Sequence, residues 1–233
     1  MRINQQAPLA APGIELWLVD LEVPAREHEA PAPGDWLDEA ERARAARFHF
    51  ERDAHRYRAS HTALRHLLAQ RTGVAAAGLR FGAGRHDKPR LDLPGAPAFN
   101  MSHSGRWALI GIGGQAPIGV DIEAPREMGE LMALAERNFT TTECRELLAL
   151  PEAGRLRAFL RCWTRKEACL KAIGSGLSIE PGLFEAGTTP EQRTTTVPVS
   201  GQACQVTVLS VDVDREALAA VAWLEPGSRH LAF

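Results

Sequence analysis

Apolar and polar residues alternate along residues 14–23 (IELWLVDLEV), the period-two pattern of a strand with one buried face. Breakers at residues 31–34 then mark a loop. Over residues 38–50 and again over 53–70 the apolar positions fall at helical spacing, with Leu64, Leu67 and Leu68 on one face of the second stretch. Gly73 is placed to end that helix as a C-cap. Residues 79–81 and 98–101 predict short strands around a turn-rich piece. Residues 107–112 (WALIGI) are continuously apolar, as a buried strand is. After the break at Gln115, Ala116 and Pro117 another strand begins over residues 118–123 (IGVDIE). The second half predicts helices over residues 128–137, 142–150 and 152–173, with Pro151 separating the last two and Thr141 or Thr142 as N-cap of the middle one. Beyond Gly174 the pattern returns to strands, alternating over 205–213 and apolar over 218–224.

Helices and strands in mixed order in both halves predict an α+β architecture of two subdomains, residues 1–115 and 116–233. At 233 residues and 45 % hydrophobic, the chain has material for a sizeable core. No apolar run approaches the roughly twenty residues that span a bilayer. Residues 1–13 hold one arginine and lack the apolar centre of a signal peptide, so a cytoplasmic protein without membrane contact is expected. The four cysteines form no C-x-x-C pair, which leaves out a zinc knuckle or redox motif and predicts free thiols, several in the core. A net charge of −2 speaks against a general nucleic-acid binder. The charge is unevenly spread: residues 42–71 carry eight arginines and four histidines against Glu51 and Asp53. That stretch is either a solvated helical face or a docking surface for phosphates or an acidic protein.

Three short elements carry candidate chemistry. Asp121 and Glu123 lie two apart on a predicted strand and so share a face. Two carboxylates side by side are either solvated at a strand edge or bridged by a hard cation such as Mg²⁺. On the helix over 152–173, Glu167 and Lys171 are four apart and share a face, as a surface ion pair or as a third metal ligand beside a phosphate contact. Trp163, one turn earlier, reads as a core anchor. Asn100, Ser102, His103 and Ser104 load one strand end with groups able to meet an anion, without the G-x-S-x-G elbow of a hydrolase.

Residues 100–107 (NMSHSGRW), 118–123 (IGVDIE) and 163–171 (WTRKEACLK), with 47–56 (RFHFERDAHR) and 87–89 (DKP) upstream, resemble in order and separation the Sfp-type 4′-phosphopantetheinyl transferases over roughly residues 40–175. The resemblance implies a pseudo-twofold pair of similar α/β subdomains with coenzyme A in the cleft between them. It implies transfer of the phosphopantetheine arm of coenzyme A to a serine of an apo carrier protein, acyl, peptidyl or aryl, by a monomer. It leaves fatty-acid, polyketide and nonribosomal-peptide carriers alike as acceptors. By the same resemblance Asp121, Glu123 and Glu167 hold Mg²⁺; Glu167 is also the candidate base for the serine proton, directly or through a metal-bound water. Lys171 then contacts phosphate, Ser102 and His103 approach the 3′-phosphate of coenzyme A, and Lys88 and Arg44 serve the nucleotide pocket.

Two positions depart from the pattern. A basic position of the family falls at Glu41 or Arg42 and is carried on Arg42, and Tyr57 stands where a small hydroxyl residue is familiar. The competing readings are a coenzyme A or carrier-binding module without catalysis, and a Mg²⁺-dependent hydrolase of phosphate esters or nucleic acid.

Overall fold

The computed structural model describes residues 1–6, 13–23, 32, 34, 36–84, 88–213 and 216–225. The chain divides into two compact units, Met1–Gly82 with Arg90–Gln115, and Ala83–Pro89 with Ala116–Phe233. Asp87 lies outside the described residues.

The first unit is a four-stranded antiparallel sheet covered by a long helix. Strands β1 (Arg2–Gln5) and β2 (Glu15–Asp20) precede helices α1 (Glu39–Ala45) and α2 (Glu51–Thr72). A two-stranded ribbon, β3 (Phe81–Ala83) and β4 (Pro89–Leu91), leads to β5 (Phe99–Ser104) and β6 (Trp107–Ile112). The sheet order is β1-β2-β6-β5. Ala59, Ala63, Leu64, Leu67 and Leu68 of α2 pack with Val19, Phe99, Ala108, Ile110 and Ile112 of the sheet. Gly73 ends α2 in the left-handed conformation at φ 73°, as its position predicts.

The second unit repeats this build. Its strands are β7 (Ile118–Glu123), β8 (Arg193–Val199), β9 (Gln202–Val211) and β10 (Leu218–Leu224), in the order β7-β10-β9-β8 and antiparallel throughout. Helices α3 (Leu131–Asn138), α4 (Thr141–Ala149) and α5 (Glu152–Ile173) follow β7. The last turns of α5 pack on the sheet through Ala168, Cys169, Ala172 and Ile173 against Val206, Val208, Ala220 and Ala222. Each unit thus sets one 22-residue helix on a four-stranded sheet, an α+β class.

Several boundaries differ from those the sequence predicts, with β3 at Phe81–Ala83 rather than 79–81 and α3 at Leu131–Asn138 rather than 128–137 among them, and two show why. The helix expected over residues 38–50 stops at Ala45. The Asp38–Glu41 capping box and the ion pairs of Arg65 hold its start, whereas residues 46–52 are all exposed and offer no burial to sustain another turn. The N-cap of α4 is Thr140, one residue before the expected pair, because only from there does a reciprocal capping box with Glu143 close.

Glu143 also anchors the interior. Its carboxylate accepts from the backbone of Thr140, Ala186 and Gly187 and meets Lys166 Nζ at 2.8 Å. Lys166 donates further to the carbonyls of Pro181 and Phe184, and the two side chains are 1 % and 0 % exposed. Burial pushes the Glu143 carboxyl up, but the charge of Lys166 and these hydrogen bonds outweigh it and hold it below its ordinary 4.5. All four cysteines are free thiols. Burial raises each of them, Cys169 to about 12 and Cys162 well above the ordinary thiol range.

Glu143→Gln should cost about 3–5 kcal/mol in urea unfolding at neutral pH, the usual loss when one partner of a buried pair is removed. Because the folded carboxyl lies below 4.5, the native contribution is complete above that pH. The gap between native and variant should therefore narrow as pH falls through the depressed value.

Candidate active site

β7 brings a glycine and two acids to one face. Gly119, Asp121 and Glu123 alternate along it and pair across to Ala222, Ala220 and Leu218 of β10. A Cβ on Gly119 would stand 2.1 Å from the carbonyl oxygen of Ala168 and 2.3 Å from the backbone nitrogen of Ala172. The backbone of α5 therefore rests directly on β7, a fit that only glycine permits. The sequence announces this as a glycine inside an otherwise apolar strand, a signal the motif reading passes over.

The contact at Gly119 fixes what lies beside it. Lys171, next to Ala172 on α5, reaches Asp121 Oδ1 at 2.6 Å. Asp121 is 4 % exposed and Lys171 half-buried, so this charged hydrogen bond is partly shielded from water. Glu167, one turn before Lys171 and half-buried, is close enough to sense both strand acids. Burial first and then the negative charge of Asp121 raise its carboxyl above 4.5, Lys171 opposes them, and Glu123 adds to the rise. The three acids and one ammonium so gather at one seam. Among the described residues no three acidic, histidine or cysteine side chains are arranged to hold a metal ion. The ammonium of Lys171 is held against Asp121. In donor chemistry the set nevertheless suits a hard divalent ion: three carboxylates, two of which raise Glu167, with Lys171 as a positive neighbour.

Lys88, expected at a nucleotide pocket, has its ammonium on backbone carbonyls: Lys171 at 2.6 Å, Ile118 at 2.9 Å and Ala172 at 3.4 Å. Burial pulls it down to about 8.

The remaining candidates belong to the first unit. Ser102 and His103 lie on β5 opposite Leu109 and Ala108 of β6, Ser102 half-buried and His103 exposed. Arg44 is exposed on α1, with its guanidinium 5.8 Å from the centre of the Tyr57 ring. Arg42 donates to the carbonyl of Leu37. The two departures from the family pattern prove to be neighbours: Glu41 accepts from Arg65 Nε at 2.7 Å and lies 3.1 Å from His61 Nδ1, and Tyr57 stacks on His61 at 4.0 Å. Glu41 is thus the internal partner of a fully buried arginine. Of the eight arginines over 42–71, Arg65 is interior and Arg42, Arg44, Arg47 and Arg52 are exposed.

Residues 117–222 match the 4′-phosphopantetheinyl transferase superfamily, and residues 25–112 match the 4′-phosphopantetheinyl transferase N-terminal model. The 4′-phosphopantetheinyl transferase HetI of Nostoc is 34 % identical over 71 % of this chain and 70 % of its own. The chain belongs to the 4′-phosphopantetheinyl transferase superfamily. A transferase named Sfp from Bacillus subtilis is 28 % identical over 85 % of this chain and 88 % of its own. A putative transferase of Synechocystis, slr0495, is 34 % identical over 72 % of this chain and 67 % of its own. The N-terminal transferase match contains Arg44, Lys88, Ser102 and His103, and the superfamily match contains Asp121, Glu123, Glu167 and Lys171.

A methyl at 119 would meet backbone that no side-chain rotation can clear, so Gly119→Ala should sit at or above the usual overpacking cost of about 1–3 kcal/mol. Urea unfolding reads that cost directly, and a substitution within a few tenths of native stability would refute the backbone contact.

Proposed function

We propose that this chain transfers the 4′-phosphopantetheine group of coenzyme A to a serine hydroxyl of an apo carrier protein, releasing adenosine 3′,5′-bisphosphate. The observation that carries the proposal is the convergence of Asp121, Glu167 and Lys171 at the seam of β7 and α5, within a transferase-family chain. In the reaction the serine oxygen forms a bond to the β-phosphorus of the diphosphate. The bond from that phosphorus to the bridging oxygen breaks, and the nucleotide phosphate leaves with the electron pair. Lys171 is suited to the negative charge that grows on those oxygens, because its ammonium is half-shielded from water and held in one direction by Asp121. Glu167 is suited to take the serine proton, because its raised carboxyl binds a proton more firmly than an ordinary glutamate. Asp121, Glu123 and Glu167 would hold Mg²⁺, which when bound supplies positive charge to the diphosphate oxygens.

Ser102, His103 and Arg44 are proposed as contacts to the nucleotide phosphates, a reading supported by their place on one strand end and one exposed helix face. The exposed arginines about the exposed Phe48 and Phe50 favour an acidic carrier. The cytoplasm suits this activity, a reading supported by four thiols outside any disulfide and by the lack, among the described residues, of a helix long and apolar enough to cross a membrane. A monomer carries every proposed group.

Incubation of purified apo-carrier with this protein, coenzyme A and Mg²⁺ should add about 340 Da to the carrier by mass spectrometry, the mass of the carried arm. EDTA should abolish the gain, and transfer unaffected by chelation would remove the metal. A carrier left unmodified while coenzyme A is cleaved would favour a hydrolase. Glu167→Gln should lower kcat much more than it weakens coenzyme A binding, whereas equal losses would leave Glu167 as ligand only.

A further inference from the structure

The β7–α5 seam is held by two different means at the start of β7. At Gly119 there is close contact of backbone with backbone. Beyond it α5 runs out of partners, since the last four carbonyls of any helix lack an intrahelical donor. Leu170 solves this for itself by accepting from the backbone of Gly174 and Ser175, with Gly174 left-handed at φ 73°. Lys171 and Ala172 follow Leu170 in the same last turn. Their carbonyls receive the ammonium of Lys88, which arrives from a segment remote in sequence and donates to Ile118 at the start of β7 as well.

We propose that Lys88 is a positioning residue for transfer: its ammonium ties the last turn of α5 to the first residue of β7 and so fixes the side chain of Lys171 against Asp121. This assigns Lys88 a different task from contact with the nucleotide, and it rests on the transferase reading for its consequence in catalysis. Three features converge on it. All three donors of the ammonium are directed at main-chain oxygens of two elements that carry the proposed chemistry. A positive charge at the carbonyl end of a 22-residue helix is favoured by the helix dipole. The stem of Lys88 also lies against the helix end, with its Cδ 3.5 Å from where a Cβ on Gly174 would stand. A rigid positioner matters here because a displacement of about 1 Å in a group aimed at a reacting phosphate costs up to about 100-fold in rate.

The chain offers a direct test, since Lys88, Lys166 and Lys171 are its only lysines. Reductive methylation of the native protein, read by peptide mass, should modify Lys171 and leave Lys88 untouched with or without coenzyme A. Methylation of Lys88 in the free protein, blocked by coenzyme A, would overturn the proposal. In Lys88→Met the amides of Gly174 and Ser175 should exchange at least about tenfold faster. Affinity for adenosine 3′,5′-bisphosphate should stay within about twofold of native while kcat for transfer falls about tenfold. A tenfold loss of nucleotide affinity with native exchange at those amides would make Lys88 a ligand contact instead. Should the variant not fold, the labelling of the native protein decides alone. Native protein that labels as expected yet transfers nothing would sink the transferase reading and leave the tie between α5 and β7 in place.

Discussion

A strand and a helix can approach until their backbones touch only where one of them lacks a side chain. Gly119 provides that place. Ordinary helix-on-sheet packing is set by a layer of side chains, and the separation varies with their size. Here the carbonyl of Ala168 and the nitrogen of Ala172 set it instead, and main-chain atoms have no rotamers with which to adjust. The strand acids two and four residues further on, and the helix acid and lysine within a turn, inherit that fixed separation. The hydrogen bond of Lys171 to Asp121 and the influence of both strand acids on Glu167 are consequences of it.

Behind the helix a second system restrains its rotation. Lys166 follows Arg165 and precedes Glu167, and the three point different ways. Arg165 donates to the carbonyls of Ala186 and Pro190, and Lys166 to Glu143 and two further carbonyls. These are buried charges, and a buried charge tolerates few orientations because each lost partner leaves it uncompensated. The helix is therefore pinned by hydrogen bonds on its inner side while Glu167 and Lys171 are presented at the seam. The cost of desolvating Arg165, Lys166 and Glu143 is offset by directionality that an apolar contact would not supply.

The sequence was most legible where burial and punctuation agree. Residues 107–112, 118–123, 152–173 and 218–224 form elements with those bounds, because continuous apolar strands leave little choice of state and Pro151 and Gly174 bracket α5. The Asp121–Glu123 face and the Glu167–Lys171 spacing followed from period alone. One terminal strand of each sheet was poorly legible: β1 buries none of its four residues, and β8 (RTTTVPV) carries a proline and five exposed or half-buried positions. Interior charges were illegible for a different reason. Nothing in a local pattern distinguishes Arg65 from the exposed arginines around it; its burial depends on Asp38 and Glu41, 27 and 24 residues away. The same holds for Lys88, whose partners lie 30 to 84 residues on.

The inert cysteines have a bearing on the chemistry of a thiol-bearing coenzyme. Coenzyme A ends in a sulfhydryl, and so does the arm once it is attached to its acceptor. A protein that handles such groups repeatedly is exposed to mixed-disulfide formation whenever its own sulfur ionises within reach of an oxidised partner. In this chain Cys162 and Cys169 are sealed inside the α5 layer, and all four thiols are shifted away from the ionised form. The thiolate population available for exchange is correspondingly small. The packing that holds α5 in register thus also keeps Cys162 and Cys169 out of reach of thiol exchange.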